Sequence, residues 1–114
     1  MIHYMSLHER PFEMIKNGKK TIELRLNDEK RRNIKINDKI IFTNSNDKDK
    51  KILVKVINLF VFNSFFELYR SLPLNKCGYT NKELKTAKSE DMLVYYSQGL
   101  QDEFGVIGIE IRVL

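Results

Sequence analysis

Apolar and polar residues alternate along most of this chain, and the period changes from segment to segment. Residues 2–7 carry a short run that predicts a strand. Residues 8–17 switch to helical spacing, with Phe12, Met14 and Ile15 as a narrow apolar stripe. Pro11 suits the first turn of that helix, where its missing N–H costs nothing. Gly18 is placed to end it, because helix ends favour a left-handed residue. Ile22, Leu24 and Leu26 then alternate with Thr21, Glu23 and Arg25, the pattern of a half-buried strand.

The charged stretch 27–33 predicts a loop or a single helical turn. Asn37-Asp38 marks a turn, a strand opens at Ile40-Ile41-Phe42, and the polar run 44–50 reads as a hairpin loop. Residues 51–62 are apolar almost throughout, which predicts burial on both faces or a barrel strand with a bend. Ser64, with Glu67 three residues on, predicts a capping box for a helix over 65–72, which Pro73 ends. Residues 74–79 read as irregular. Thr80 is a cap for a helix near 81–87, and Ser89 for another over 90–96 closed by Gly99. Residues 105–114 form a final strand with Glu110 and Arg112 on one face. No repeat or linker divides the chain. The reading is one α+β domain over residues 1–114, a small mixed or antiparallel sheet closing into a barrel flanked by helices.

Composition narrows the function classes. With 114 residues the chain holds one core without needing staples. Its single cysteine, Cys77, excludes an intramolecular disulfide and reads as a buried, idle thiol. The chain has no apolar run long enough for a membrane-spanning helix. Its start lacks the basic-then-apolar pattern of a secretory leader, so a reducing cytoplasm is the expected location. Lys and Arg exceed Asp and Glu by 20 − 15 = 5, a mild hint of an acidic partner such as nucleic acid. The five glycines make no phosphate-cradling loop. His3 and His8 lack the company a metal site needs, so neither metal nor other cofactor is expected.

The concentrated chemistry is Gly18-Lys19-Lys20-Thr21-Ile22-Glu23-Leu24-Arg25. In a regular strand Glu23 and Arg25 share a face about 7 Å apart. Lys20, at the strand's start, can converge on the same place. Spacing alone leaves two readings open: an anion- or carbonyl-binding cluster, or an ordinary solvated ion pair.

Gly18, Lys20, Glu23 and Arg25 together meet the signature G-x-K-x-x-E-x-R, and the chain resembles the ASCH domain family. The opening Tyr4-Met5 strand, the helix end from Glu13 through Ile15 to Gly18, and the closing Phe104-Gly105-Val106-Ile107-Gly108-Ile109 run resemble family features. The resemblance implies a PUA-like β-barrel that binds RNA or a nucleoside-like small molecule in a cleft beside the barrel. In that reading Lys20 and Arg25 contact a phosphate or base carbonyl. Glu23 orients them or accepts from an exocyclic amine. Tyr4 and Tyr95, with Tyr96 beside it, are stacking candidates. One branch of the family hydrolyses the acetyl amide of N(4)-acetylcytidine. Its lysine matches Lys20, but its nucleophilic threonine matches Glu23, a departure for which Thr21 is the nearest substitute. The catalytic set of that alternative is Lys20, Thr21 and Glu23, with Glu83 and Glu90 in the region of the acid/base. A non-catalytic protein-interaction module is the third reading.

Overall fold

The computed structural model describes residues 1–114. Five strands form one sheet: β1 (Ile2–Leu7), β2 (Ile22–Leu26), β3 (Lys39–Asn44), β4 (Lys51–Phe62) and β5 (Val106–Val113). Their order is β1-β3-β4-β5-β2, with β1 and β2 at the two edges. β1 lies parallel to β3, and all other neighbours are antiparallel. The sheet curls into a half-barrel, so its edges approach each other. Arg25 of β2 spans the open seam and donates to the carbonyl of Ser6 in β1 at 2.9 Å.

β4 shows why the curl is needed. Its 12 residues would run about 40 Å if straight, yet the longest dimension of the molecule is 33 Å. A bulge between Val56 and Asn58 bends the strand. Of the two expectations for this segment, the bend holds and the two-sided burial does not. Ile52, Val54 and Val56 point inward, while Lys51, Leu53 and Ile57 are exposed.

Helices fill the inside of the curl and cover part of its outside. α1 (Glu9–Lys16) buries Phe12 and Ile15 inside the curl, in a core with Met5, Leu7, Ile40, Phe42, Val54 and Ile109. α2 (Glu29–Arg32) is the single charged turn, capped by Asp28 accepting from the Arg31 N–H. α3 (Phe65–Ser71) covers the opposite face of β2 and β5, where Ile22, Leu24, Leu26, Phe65, Leu68 and Val106 make a second core. Ser64 caps α3 by accepting from the Glu67 N–H, but Glu67 accepts from Asn63, one residue earlier than a capping box places it.

From Pro73 onward the chain forms short pieces. A 3₁₀ turn (Leu74–Cys77) leads to α4 (Asn81–Leu84), a second 3₁₀ turn (Ser89–Val94) and α5 (Gln98–Phe104). Thr80 makes the full capping box expected of it, although the helix lasts one turn. The α-helix expected over 90–96 is 3₁₀, with Lys88 rather than Ser89 at its N-cap. Gly99 does not end it: Gly99 sits inside α5, whose cap is Ser97. A glycine read as a stop here occupies a first turn, where its backbone freedom is inexpensive. No helix is long and apolar enough to cross a membrane.

Candidate functional site

The curl leaves a cleft of about 550 Å³ between the ends of β1 and β2 on one side and the short helices on the other. β2 is the reason it carries chemistry. Its even-numbered residues Ile22, Leu24 and Leu26 belong to the second core, so Glu23 and Arg25 must face the inside of the curl. Lys20 arrives from the turn made by Gly18, which has a positive φ of 81°. Gly78, also at positive φ (106°), packs against the Lys20 stem, and a Cβ there would lie 3.3 Å from its Cδ.

These three side chains form one ion-paired cluster. Lys20 Nζ lies 2.7 Å from Glu23 Oε1, and Arg25 Nη2 lies 2.8 Å from Oε2. Arg25 Nε also donates to Oε2 at 2.8 Å. The side chains of Glu23, Lys20 and Arg25 are only 4%, 11% and 15% exposed. The solvated-face reading therefore fails. Burial pushes the Glu23 carboxyl up, but the charges and hydrogen bonds of Lys20 and Arg25 outweigh it and hold the group below its ordinary range. Both Glu23 oxygens are occupied, whereas Lys20 retains N–H groups beyond its one ion pair and Arg25 Nη1 makes no hydrogen bond within the chain. The cluster thus offers donors to the cleft, with Glu23 orienting them.

The opposite wall is aromatic. Tyr69, Tyr79, Tyr95 and Tyr96 line it. Tyr96 stacks on Phe65 at 5.9 Å between ring centres. The Tyr69 and Tyr79 hydroxyls meet at 2.6 Å, and the Tyr79 hydroxyl donates to Asp91 Oδ2 at 3.1 Å. Burial raises the Tyr69 phenol to about 12 and raises Tyr79 further. Both stay neutral donors at physiological pH. Arg10 and Glu83 pair across the rim at 2.6 Å. Arg10 holds the Glu83 carboxyl down at about 2. The charged residues lining the cleft are Lys20, Arg25 and Arg10 against Glu23, Glu83 and Asp91, so the formal sum is 3 − 3 = 0.

The structure brings Lys20, Glu23, Arg25, Tyr95, Tyr96 and Glu83 to this one cleft. It does not bring Thr21, Tyr4 or Glu90 there. Thr21 lines a separate recess with Lys16, Lys76, Glu110 and Arg112, on the far side of Lys20. It directly precedes the regular strand, and its N–H and C=O pair with Lys76 and Ile111. The expectation that it shares a strand face with Glu23 therefore does not hold. Tyr4 points to the outer face of the sheet, because His3, Met5 and Leu7 take the inner positions of β1. Glu90 is exposed beyond the cleft. His3 pairs with Asp38 at 2.8 Å, whereas His8 is at the cleft's edge near Ser45. No three His, Cys, Asp or Glu side chains are grouped to hold a metal ion. Cys77 is buried at the cleft floor, and burial pushes its thiol up to about 11, which suppresses the nucleophilic thiolate.

Arg10, Tyr69, Tyr79 and Asp91 were not legible as site residues. Each comes from a segment with no local motif, and only the packing of the short helices over β2 assembles them.

Comparison with known proteins gives the site a context. The model of the ASCH domain family matches residues 5–113. The crystal structure of hypothetical protein PH0355 is similar over 100% of both chains, with 35% identity and a TM-score of 0.81. Protein PF0455 from Pyrococcus furiosus is also 35% identical, with a TM-score of 0.71 over 100% of this chain and 98% of its own. ASCH from Zymomonas mobilis has a TM-score of 0.65 over 97% of this chain and 66% of its own, at 14% identity, a likeness of fold. No curated protein matches the chain.

Proposed function

The chain belongs to the ASCH domain family, and on that premise we propose that its cleft binds a nucleoside-like group, either free or presented by a nucleotide turned out of an RNA strand. One observation carries the reading: a buried, pre-paired Lys20–Glu23–Arg25 cluster faces a wall of tyrosines across a cleft whose formal charge sums to zero. A site for a bare phosphate would carry surplus positive charge. This one offers donors from Lys20 and Arg25, an aromatic face at Tyr95, and carboxylate oxygens of Asp91 and Glu83. That mixture suits the carbonyls, ring face and exocyclic amine of a base. A volume of about 550 Å³ falls within the range of small-molecule sites.

Binding is favoured over amide hydrolysis. Thr21 opens onto another recess, Glu23 stands where the hydrolytic branch has its nucleophile, and Cys77 and the half-buried Tyr69 and Tyr79 are held protonated. Isothermal titration with nucleosides, nucleoside monophosphates and a short RNA separates the free from the RNA-borne ligand. Lys20→Met removes a charge-assisted donor and is expected to weaken binding by about 10-fold or more. Absence of binding by all three ligand classes at low salt, with the protein folded, overturns the reading. Release of cytidine from N(4)-acetylcytidine, lost in Lys20→Met, would replace binding by catalysis.

A further inference from the structure

The outer face of β1, β3 and the first half of β4 has no helix over it. Across it runs a row of cations in register: Lys39 opposes Lys55, and Lys55 opposes Arg112. None of the three has a carboxylate within ion-pair distance; the six ion pairs of the molecule all lie elsewhere. Like charges placed directly opposite in a sheet are destabilising; Glu110, two residues from Arg112 on the same face, forms no ion pair with the row, which is therefore a cost the fold carries. The nearest carboxylate on the neighbouring turn, Asp38, is turned toward His3 and the amino terminus.

Two residues along, a second row is apolar. Tyr4 opposes Ile41, and Ile41 opposes Leu53. Tyr4 is 62% exposed and Leu53 39%. The Tyr4 ring is thus a free aromatic face roughly 7 Å from the cation row. The cation row is also continuous with the cleft. Arg112 borders the recess that holds Lys16 and Lys76, and Lys20 borders both that recess and the cleft.

We propose that this outer face is a track for single-stranded nucleic acid leading away from the cleft. The cations take the backbone phosphates, and the Tyr4–Ile41–Leu53 row takes unpaired bases. This division resolves the cleft's neutrality, since phosphate contacts fall outside it. An acidic protein surface would satisfy the cations but would not need a bare tyrosine beside them. The proposal extends the nucleoside reading of the cleft, and its test separates the two.

The test compares uridine monophosphate, a labelled 12-mer of oligouridine and an RNA duplex of equal length, by fluorescence anisotropy and calorimetry. Two outer-face variants are used: Tyr4→Ala, and Lys39→Gln with Lys55→Gln and Arg112→Gln. The triple variant should lower the salt slope of 12-mer binding by about 2, from about 0.7 per phosphate contact. Tyr4→Ala should weaken the 12-mer by about fivefold or more and leave the salt slope unchanged. Neither should alter mononucleotide affinity, and the duplex should bind more weakly than the single strand. Removing opposed like charges should leave the triple variant at least as heat-stable as the parent, so a binding loss is not unfolding. The proposal is overturned if both variants bind the 12-mer like the parent. It is overturned too if the duplex loses as much to Tyr4→Ala as the single strand does. A 12-mer whose binding responds to the outer-face variants but not to Lys20→Met, while the mononucleotide does not bind, would sink the cleft reading and keep the track.

Discussion

Replacing Glu23 with glutamine deletes one buried negative charge, keeps the shape, and leaves Lys20 and Arg25 facing each other without a counter-ion. Glu23 is 4% exposed and sits 2.7 and 2.8 Å from its two partners. Breaking a buried pair by removing one member costs roughly 3–5 kcal/mol. Lys20 and Arg25 border an open cleft and keep some water, which places Glu23→Gln at the lower end, about 3 kcal/mol. At about 2.1 cal/mol/K per residue, this chain unfolds with about 0.24 kcal/mol/K, so the expected fall in Tm is roughly 12 °C. Urea unfolding at two pH values supplies the assay. The folded-state pKa of Glu23 is depressed below its ordinary 4.5. Its contribution is therefore full above that value and is lost as pH falls through the folded pKa. The gap between parent and Glu23→Gln should be wide at neutral pH and should narrow in acid. A gap under about 0.5 kcal/mol at neutral pH, the value of an exposed pair, would refute a buried cluster. A gap that widens in acid would refute the sign.

Further expectations concern the surroundings. Gly105→Ala places a Cβ 2.9 Å from the Phe62 carbonyl at a φ of 73°, so a loss of about 1–3 kcal/mol in urea titration is expected. Gly78→Ala has the same backbone problem and presses on the Lys20 stem; it should weaken ligand binding as well as stability, measured by calorimetry and thermal melting. Thr21→Ala should leave nucleoside affinity unchanged, because its side chain lines the other recess. Cys77, with its thiol raised to about 11, should react with iodoacetamide far more slowly in the native protein at pH 7.5 than in urea, followed by mass spectrometry.

The sheet was legible because strand periodicity is local. His3, Met5 and Leu7 alternate with Ile2, Tyr4 and Ser6, and the same alternation that marks β1 also sends Tyr4 outward. The motif residues were legible as a cluster, since Glu23 and Arg25 share a face of any regular strand. Their burial was not, because it depends on the seam between β1 and β2 closing over them through Arg25 and Ser6. The segment after Pro73 was the hardest to read. Its turns are too short for a periodic stripe, and capping residues are all it shows. Thr80 does cap a helix, but Ser89 does not, the cap of α5 is Ser97, which was not legible as one, and Gly99 carries the same sequence signal inside a first turn as a true terminator would. Three of the four wall tyrosines, Tyr79, Tyr95 and Tyr96, come from that segment and Tyr69 from α3; of these only Tyr95 and Tyr96 were legible in the sequence, through the family resemblance.

The most direct measurement is an amide and side-chain NMR titration of the isotope-labelled chain with a nucleoside monophosphate. Shifts centred on Glu23–Arg25, Gly78 and Met92–Tyr96, saturating together, are the predicted result. Saturable shifts elsewhere with those residues silent, or no shifts with either the monophosphate at millimolar concentration or a short RNA, would contradict the assignment of this cleft as the binding site.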